Sequence, residues 1–138
     1  MNDPIIRDLT PEECWTELRH NQLGRLAVAV AGEVDIFPVN YVAHDRALYF
    51  RTAPGTKLLE LTVNQRVAFE IDTWTYDQAR SVVVKGIAER LEHQSDIDAA
   101  DRLPLLPWIP TLKYRWVRIA PTFVRGLFFD RAAEPERY

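Results

Sequence analysis

At residues 50–57 the chain reads Phe50-Arg51-Thr52-Ala53-Pro54-Gly55-Thr56-Lys57, where an apolar strand ends and an amphipathic helix begins. The first backbone N–H groups of a helix have no partner within it and lie at the positive end of its dipole, so an anion binds there readily. Gly55 lets the backbone approach a ligand closely, and Thr56 offers a hydroxyl. Arg51 and Lys57 add positive charge. These residues predict a phosphate site; the alternative is that Thr56 only caps the helix while both cations lie in solvent.

The composition is that of an ordinary globular protein, with 47% hydrophobic and 27% charged residues among 138. We expect one domain over residues 1–138, with a core from about residue 9 to 129 and a loose tail at 130–138. The net charge is -3, so no basic excess is present to neutralise a nucleic-acid backbone. Nucleic-acid binding is therefore not expected.

Cys14 is the only cysteine, so no disulfide can form within the chain. We find no charged-then-apolar leader and no apolar run approaching the roughly 20 residues of a membrane helix. These features favour a cytoplasmic protein that spans no membrane. Cys14 lies inside a helical pattern, where we expect a buried and unreactive thiol.

The secondary-structure signals predict mostly strands. Thr10-Pro11-Glu12-Glu13 predicts a first helix, with Thr10 as N-cap and Glu13 closing a capping box, that ends near His20. Two more helices are predicted at residues 55–64 and 95–102. Segments rich in Val, Ile and aromatic residues predict strands at 26–30, 34–42, 47–52, 66–74, 81–91, 113–119 and 122–129, with Pro121 between the last two. Six or seven strands with few helices favour a mainly β, antiparallel barrel.

Several short motifs, taken in order, resemble a known family. They are Glu13-Cys14-Trp15, Gly24-Arg25-Leu26, Phe37-Pro38-Val39-Asn40-Tyr41, Phe50-Arg51-Thr52 with Gly55-Thr56-Lys57, Val67-Ala68-Phe69-Glu70, Ser81-Val82-Val83-Val84 with Gly86, and Pro107-Trp108. Over roughly residues 9–126 the chain resembles the pyridoxamine 5′-phosphate oxidase-like, flavin-reductase-like split-barrel proteins of bacteria. The resemblance implies a homodimer that binds FMN between its subunits. Relatives in the same superfamily bind the deazaflavin F420 or haem instead.

Carried over by position, the resemblance places the flavin phosphate on Thr56 and Lys57, with help from Arg51. It places Thr52 against the ribityl chain or the ring. The strand Pro38-Val39-Asn40-Tyr41 would lie along the isoalloxazine. Trp108 would approach the flavin from the partner subunit; the alternative is that it only fills a barrel end or a dimer seam. Independently, Pro38 removes a ladder donor from its strand, which predicts an edge or bulged strand there. Arg25 is an accessory candidate.

The expected function is that of an FMN-dependent oxidoreductase with an unknown small substrate, working by hydride transfer through the flavin N5. Relatives often carry Gly-Trp-Ser where this chain has Ala79-Arg80-Ser81, and Gly-Arg-Arg where it has Arg125-Gly126-Leu127. The phosphate-gripping set of true pyridoxamine phosphate oxidases cannot be placed, so that activity is not expected. An F420-dependent reductase or a non-catalytic flavin or haem carrier stays open, and His20, His44 and His93 are the only histidines for a haem. No catalytic side chain or metal cluster is predicted.

Overall fold

A computed structural model describes residues 5–62, 65–106 and 115–131, with the side chains of residues 61 and 62 left out of the description. Within these residues the chain forms eight strands and three helices. In order they are β1 (Ile6–Asp8), α1 (Pro11–His20), β2 (Leu23–Val30), β3 (Glu33–Asn40), β4 (Val42–His44), β5 (Ala47–Thr52), α2 (Lys57–Thr62), β6 (Arg66–Trp74), β7 (Gln78–Arg90), α3 (Gln94–Asp101) and β8 (Arg115–Asp130).

The strands form one antiparallel sheet that curls on itself. Its order is β3-β2-β6-β7-β8-β5-β4, with β1 added alongside β8. β3 and β4 stand at opposite ends of this path, yet Tyr41 is the only residue between them in the chain. Because one residue spans less than about 4 Å, the two ends of the sheet meet at Tyr41. The predicted antiparallel barrel is therefore confirmed.

Tyr41 holds this junction in place. Its backbone N–H donates to the Gln22 carbonyl at 2.9 Å, and its phenol donates to the Leu18 carbonyl at 2.6 Å. The ring is 2% exposed and meets Phe69 edge-on, with ring centroids 4.8 Å apart. Burial raises the pKa of the Tyr41 phenol, which therefore stays protonated as a donor.

The capping box at the start of α1 is confirmed. The Thr10 hydroxyl accepts from the Glu13 N–H at 3.2 Å, and the Glu13 carboxylate accepts from the Thr10 N–H at 3.0 Å. The inner face of the helix, including Cys14 and Leu18, is buried in the main core. Burial raises the pKa of the Cys14 thiol, in agreement with an unreactive cysteine. Among the described residues, no helix is both long and apolar enough to cross a membrane.

The predicted break at Pro121 is wrong, because β8 runs through it. Gly86 of β7 pairs with Pro121 and Lys85 pairs with Phe123, so Thr122 is an extra residue in a β-bulge. A bulge interrupts the ladder locally, and the missing proline N–H is tolerated there. The Thr122 hydroxyl donates to the Lys85 carbonyl at 3.2 Å. Asp130 extends β8 one residue beyond the predicted core, and residues 113–114 lie outside the described part.

Other boundaries shift by a few residues. The predicted strand 34–42 is split at Tyr41 into β3 and β4, and β1 was not predicted. The described part thus has eight strands against the six or seven expected. Helix α2 begins at Lys57 rather than at residue 55. Helix α3 covers a second, smaller core on the outer face of the sheet, formed by Leu91, Ala100 and Trp116.

Candidate functional site

The turn before α2 is built around the hydroxyl of Thr56. This oxygen accepts from the Leu59 N–H at 3.2 Å, donates to the Ala53 carbonyl at 2.9 Å, and lies 2.8 Å from the Thr52 hydroxyl. A hydroxyl has one proton and two lone pairs, so all three positions are used once Thr52 donates to it. Thr56 therefore caps α2, and its hydroxyl has no donor left for a ligand in this arrangement.

Thr52 lies under this turn rather than at the surface. It is 3% exposed, the one buried polar residue in the described part of the chain. Since its proton goes to Thr56, its lone pairs are the part of the hydroxyl that could accept from another group. Thr52 and Thr56 are the two predicted site residues that the structure joins by a direct hydrogen bond.

Gly55 and Lys57 remain open to a ligand. Gly55 has a φ of 73°, and nothing lies within 4 Å of the position that a side chain would take there. The Lys57 side chain is 64% exposed, and its ammonium lies 3.4 Å from Asp35 of β3. That contact is long for a salt bridge and its cation is largely exposed, so the pair contributes little and an incoming phosphate can replace it. The turn therefore fits a phosphate through backbone and ammonium.

Arg51 is placed differently from Lys57. Along β5, Phe50 and Thr52 are buried, so Arg51 faces the outer side of the sheet. Its guanidinium lies over the Trp116 ring, 5.1 Å from the centroid. No contact in the described part joins Arg51 to Thr56 or Lys57. The geometry assigns it a cation–π contact with the second core, worth about 0.5–1 kcal/mol at such a site.

The four residues predicted to lie along the flavin alternate between two faces of β3. Val39 and Tyr41 are in the main core. Pro38 is exposed and Asn40 is half-buried on the other face. The Asn40 amide donates to the Gln22 carbonyl at 3.1 Å, which leaves the Asn40 carbonyl as an acceptor. β3 is an edge strand, as Pro38 predicted. Side-chain contact with a ligand is therefore open to Pro38 and Asn40, whereas Val39 and Tyr41 could contribute only backbone groups.

Neighbouring strands extend the outer face beyond Pro38. Pro38 pairs with Arg25 of β2, and Arg25 pairs with Glu70 of β6, so the three side chains form one cross-strand row. Desolvation raises the pKa of Glu70, and the nearby Asp72 carboxylate raises it further, while Arg25 opposes both. The sequence analysis missed Glu70, Asp72 and the Lys57 partner Asp35. Acidic residues at alternate positions of apolar strands were the signal for them.

Arg80 and Leu127, where the chain departs from the sequences of its relatives, have other contacts within the described part. Arg80 lies 3.4 Å from Glu17 and also sits over the Phe128 ring, 5.1 Å from its centroid. Leu127 pairs with Ser81 across β7 and β8. Trp108 lies outside the described residues. The role of Trp108 toward a cofactor stays a prediction, as does the effect of the departures at Arg80 and Leu127.

The comparisons with known proteins agree with this architecture. The family model described as pyridoxamine 5′-phosphate oxidase matches residues 10–127. A candidate pyridoxamine 5′-phosphate oxidase from Corynebacterium glutamicum is 42% identical, with a TM-score of 0.86 over 97% of this chain and 99% of its own. An FAD-binding protein from Mycobacterium smegmatis is 38% identical, with a TM-score of 0.82 over 90% and 98%.

A more distant structure also matches. An FAD-binding protein from Mesorhizobium loti is 27% identical, with a TM-score of 0.75 over 90% of this chain and 98% of its own. The fold predicted from the sequence motifs is thus shared by proteins of several genera. The chain, a split barrel by its topology, belongs to the pyridoxamine 5′-phosphate oxidase family.

Proposed function

We propose that this protein binds a flavin and uses it as an oxidoreductase acting on a small molecule. The observation that carries the proposal is the open turn at Gly55, where the Lys57 ammonium lies beside β3. Pro38 and Asn40 of the same strand face outward. From Asp35 to Pro38 is about 10 Å along a strand. Asp35 and Pro38 face opposite sides of β3, which is an edge strand, so a ribityl chain joining a phosphate at Lys57 to a ring along Pro38 would pass over the free edge of this strand.

The identity of the flavin has two candidates. The sequence favours FMN, while two similar proteins, from M. smegmatis and M. loti, are described as FAD-binding. Both flavins share the ribityl phosphate, so the turn fits either. F420 and haem remain the alternatives from the sequence resemblance, each with its own absorption spectrum. The released compound, identified by mass, distinguishes all four.

The chain's own residues would position and polarise the cofactor. Lys57 would neutralise the phosphate, and the β3 backbone with the Asn40 carbonyl would bind the polar edge of the ring. Arg25 and Glu70, in the row beside Pro38, would set the charge near that edge. A bound flavin supplies the redox chemistry by exchanging a hydride with a substrate on its open face. No catalytic side chain is then required of the protein.

Two further parts of the proposal come from the sequence. We propose a homodimer with the flavin between its subunits. We also propose that vitamin oxidation is not its activity, since the phosphate-gripping set was not found in the sequence. The cytoplasmic location stays a prediction. A flavin carrier or sensor is the competing function, and reduction of the bound flavin by a pyridine nucleotide, followed by reoxidation, would distinguish the enzyme.

Replacing Lys57 by alanine tests the phosphate site. A charge-assisted hydrogen bond contributes about 1.5–3 kcal/mol, so Lys57→Ala should weaken FMN and FAD binding by roughly tenfold or more in a calorimetric titration. Riboflavin, which lacks the phosphate, should bind both proteins equally. Arg19→Ala on the exposed face of α1 is the control for lost positive charge. Unchanged flavin affinity in Lys57→Ala would remove Lys57 from the phosphate site.

A further inference from the structure

A cavity of about 590 Å³ opens on the outer face of the sheet, across β2, β6 and β7. Its floor includes Ala27 and Ala29 of β2 and Ala68 of β6, which alternate along their strands with the core residues Leu26, Val28 and Phe69. Volumes of about 300–1,000 Å³ are typical of small-molecule sites. The cavity is therefore large enough for an organic ligand.

Side-chain size explains why the surface is concave here. The three alanines stand beside larger neighbours, Val34 of β3 and Ile87 of β7, which are 73% and 36% exposed. A methyl group leaves space where the neighbouring side chains project, so the alanines form a depression with an apolar rim. Such a surface suits a flat apolar group better than a hydrated one.

The charges around the cavity are of one sign. Arg66 and Lys85 line it, and no acidic side chain does so among its described lining residues. The whole chain has more acidic than basic side chains, 20 against 17. A cavity lined by two cations and no acid therefore differs from the average charge of the chain. Within the described residues Arg66 has no ion pair, and Lys85 lies over the Phe123 ring, 5.6 Å from its centroid. The cavity thus combines an apolar floor with two cations.

The cavity continues the proposed flavin site along β3. Pro38 and Asn40 lie at the end of this strand, the Lys57 contact at Asp35 lies near its start, and Val34 lines the cavity. Pro38, Ile36 and Val34 share one face of the strand, since side chains alternate. Asp35 faces the other side, so the Lys57 contact lies across the free edge of β3, directly beside Val34. A ligand whose phosphate lies at this edge would therefore reach the cavity at Val34 next.

We propose that this cavity holds the adenosine end of a dinucleotide flavin, an inference that rests on the proposed flavin site. The adenine would lie on Ala27, Ala29 and Ala68, with the Arg66 guanidinium able to stack on it. Lys85 and Arg66 would attract the diphosphate side of the ligand.

The test compares FAD with FMN, which differ by the adenylate alone. By calorimetric titration, wild-type protein should bind FAD at least tenfold more tightly than FMN. Ala29→Leu, which fills the cavity, and Arg66→Gln, which removes its charge, should bring FAD affinity to the FMN value while FMN affinity stays unchanged. Ala99→Leu, on the exposed side of α3 away from the cavity, and Arg102→Gln, after α3, are the matched controls and should keep the wild-type ratio.

Other results would overturn the inference in distinguishable ways. Equal wild-type affinities for FAD and FMN would exclude an adenosine site while leaving the flavin proposal standing. If neither flavin binds, the proposed function fails and this inference fails with it. If Ala29→Leu changes the monomer–dimer equilibrium in sedimentation but not the FAD to FMN ratio, the cavity is instead a contact between copies.

Discussion

The Glu13 carboxylate accepts hydrogen bonds from three nitrogen atoms at the start of α1. It accepts from two Arg7 nitrogens, at 3.0 and 3.1 Å, and from the Thr10 N–H at 3.0 Å. The Arg7 hydrogen bond, with the Thr10 bond second, lowers the pKa of Glu13 from 4.5 to about 2. All of these bonds favour the ionised carboxylate, so Glu13 takes up a proton only at lower pH in the folded chain than in the unfolded chain.

The Glu13 pKa predicts a pH dependence of folding. Because its folded value is depressed, the stabilisation is present above pH 4.5 and is lost as pH falls from there toward 2. Glu13→Gln should therefore lower the urea midpoint at pH 6 and have progressively less effect toward pH 2. Glu60→Gln, an exposed carboxyl on α2, is the control. A Glu13→Gln effect of equal size at both ends of this range would contradict the assignment.

At the scale of elements, the bulge between β7 and β8 depends on Gly86. A Cβ on Gly86 would lie 2.3 Å from the Ala120 carbonyl oxygen and 2.9 Å from its carbon. These are backbone atoms of the partner strand, which cannot move aside as a flexible side chain can. Gly86→Ala should destabilise the fold by about 1–3 kcal/mol in urea unfolding, as overpacking does. Ser81→Ala on the same strand should change stability little, and an equally small change for Gly86→Ala would show that the bulge adapts.

Sequence patterns predicted those helices and strands whose formation depends on residues close together in the chain. The capping box at Thr10 and Glu13 marked the start of α1, and continuous β-branched and aromatic runs marked β5 and β6 with matching ends. The prediction for β8 was wrong, because the effect of Pro121 depends on its pairing partner in β7, which the sequence alone does not identify. β1 is three residues long and is held by β8, so it has no local signal.

The candidate site was predictable only in part, for the same reason. The residue types in the turn indicated Gly55 and Lys57 as ligand-binding residues, and both are open to a ligand. The inward turn of Val39 and Tyr41 follows from alternation along β3, and the sequence motif did not reveal it. The cavity over Ala27, Ala29 and Ala68 needs three strands in register, so no single segment could show it.

At the scale of the whole molecule, the outer face carries large apolar side chains that the chain does not bury. A cross-strand row runs from Trp74 through Ala79 and Phe129 to Ile6. Trp74, Phe129 and Ile6 are 68%, 38% and 74% exposed. The sequence of residues 108–129 also predicts a dimer, because its aromatic residues present more large apolar surface than one small barrel easily buries. Trp116 of this segment is nevertheless 3% exposed and lies buried within the chain. The row supplies a different surface for the same association.

We therefore expect a dimer whose contact includes this row. Contiguous exposed apolar surface of this kind marks association sites, and burial of aromatic side chains carries most of the binding energy in such contacts. In sedimentation equilibrium at micromolar concentration, wild-type protein should have twice the chain mass, and Trp74→Ser or Phe129→Ser should shift it toward the monomer by roughly tenfold in dissociation constant. Leu106→Ser, which also removes an exposed apolar side chain but lies off the row, should leave the dimer intact. A monomeric wild-type protein would contradict the dimer itself, whereas dissociation by Leu106→Ser alone would place the contact on another face.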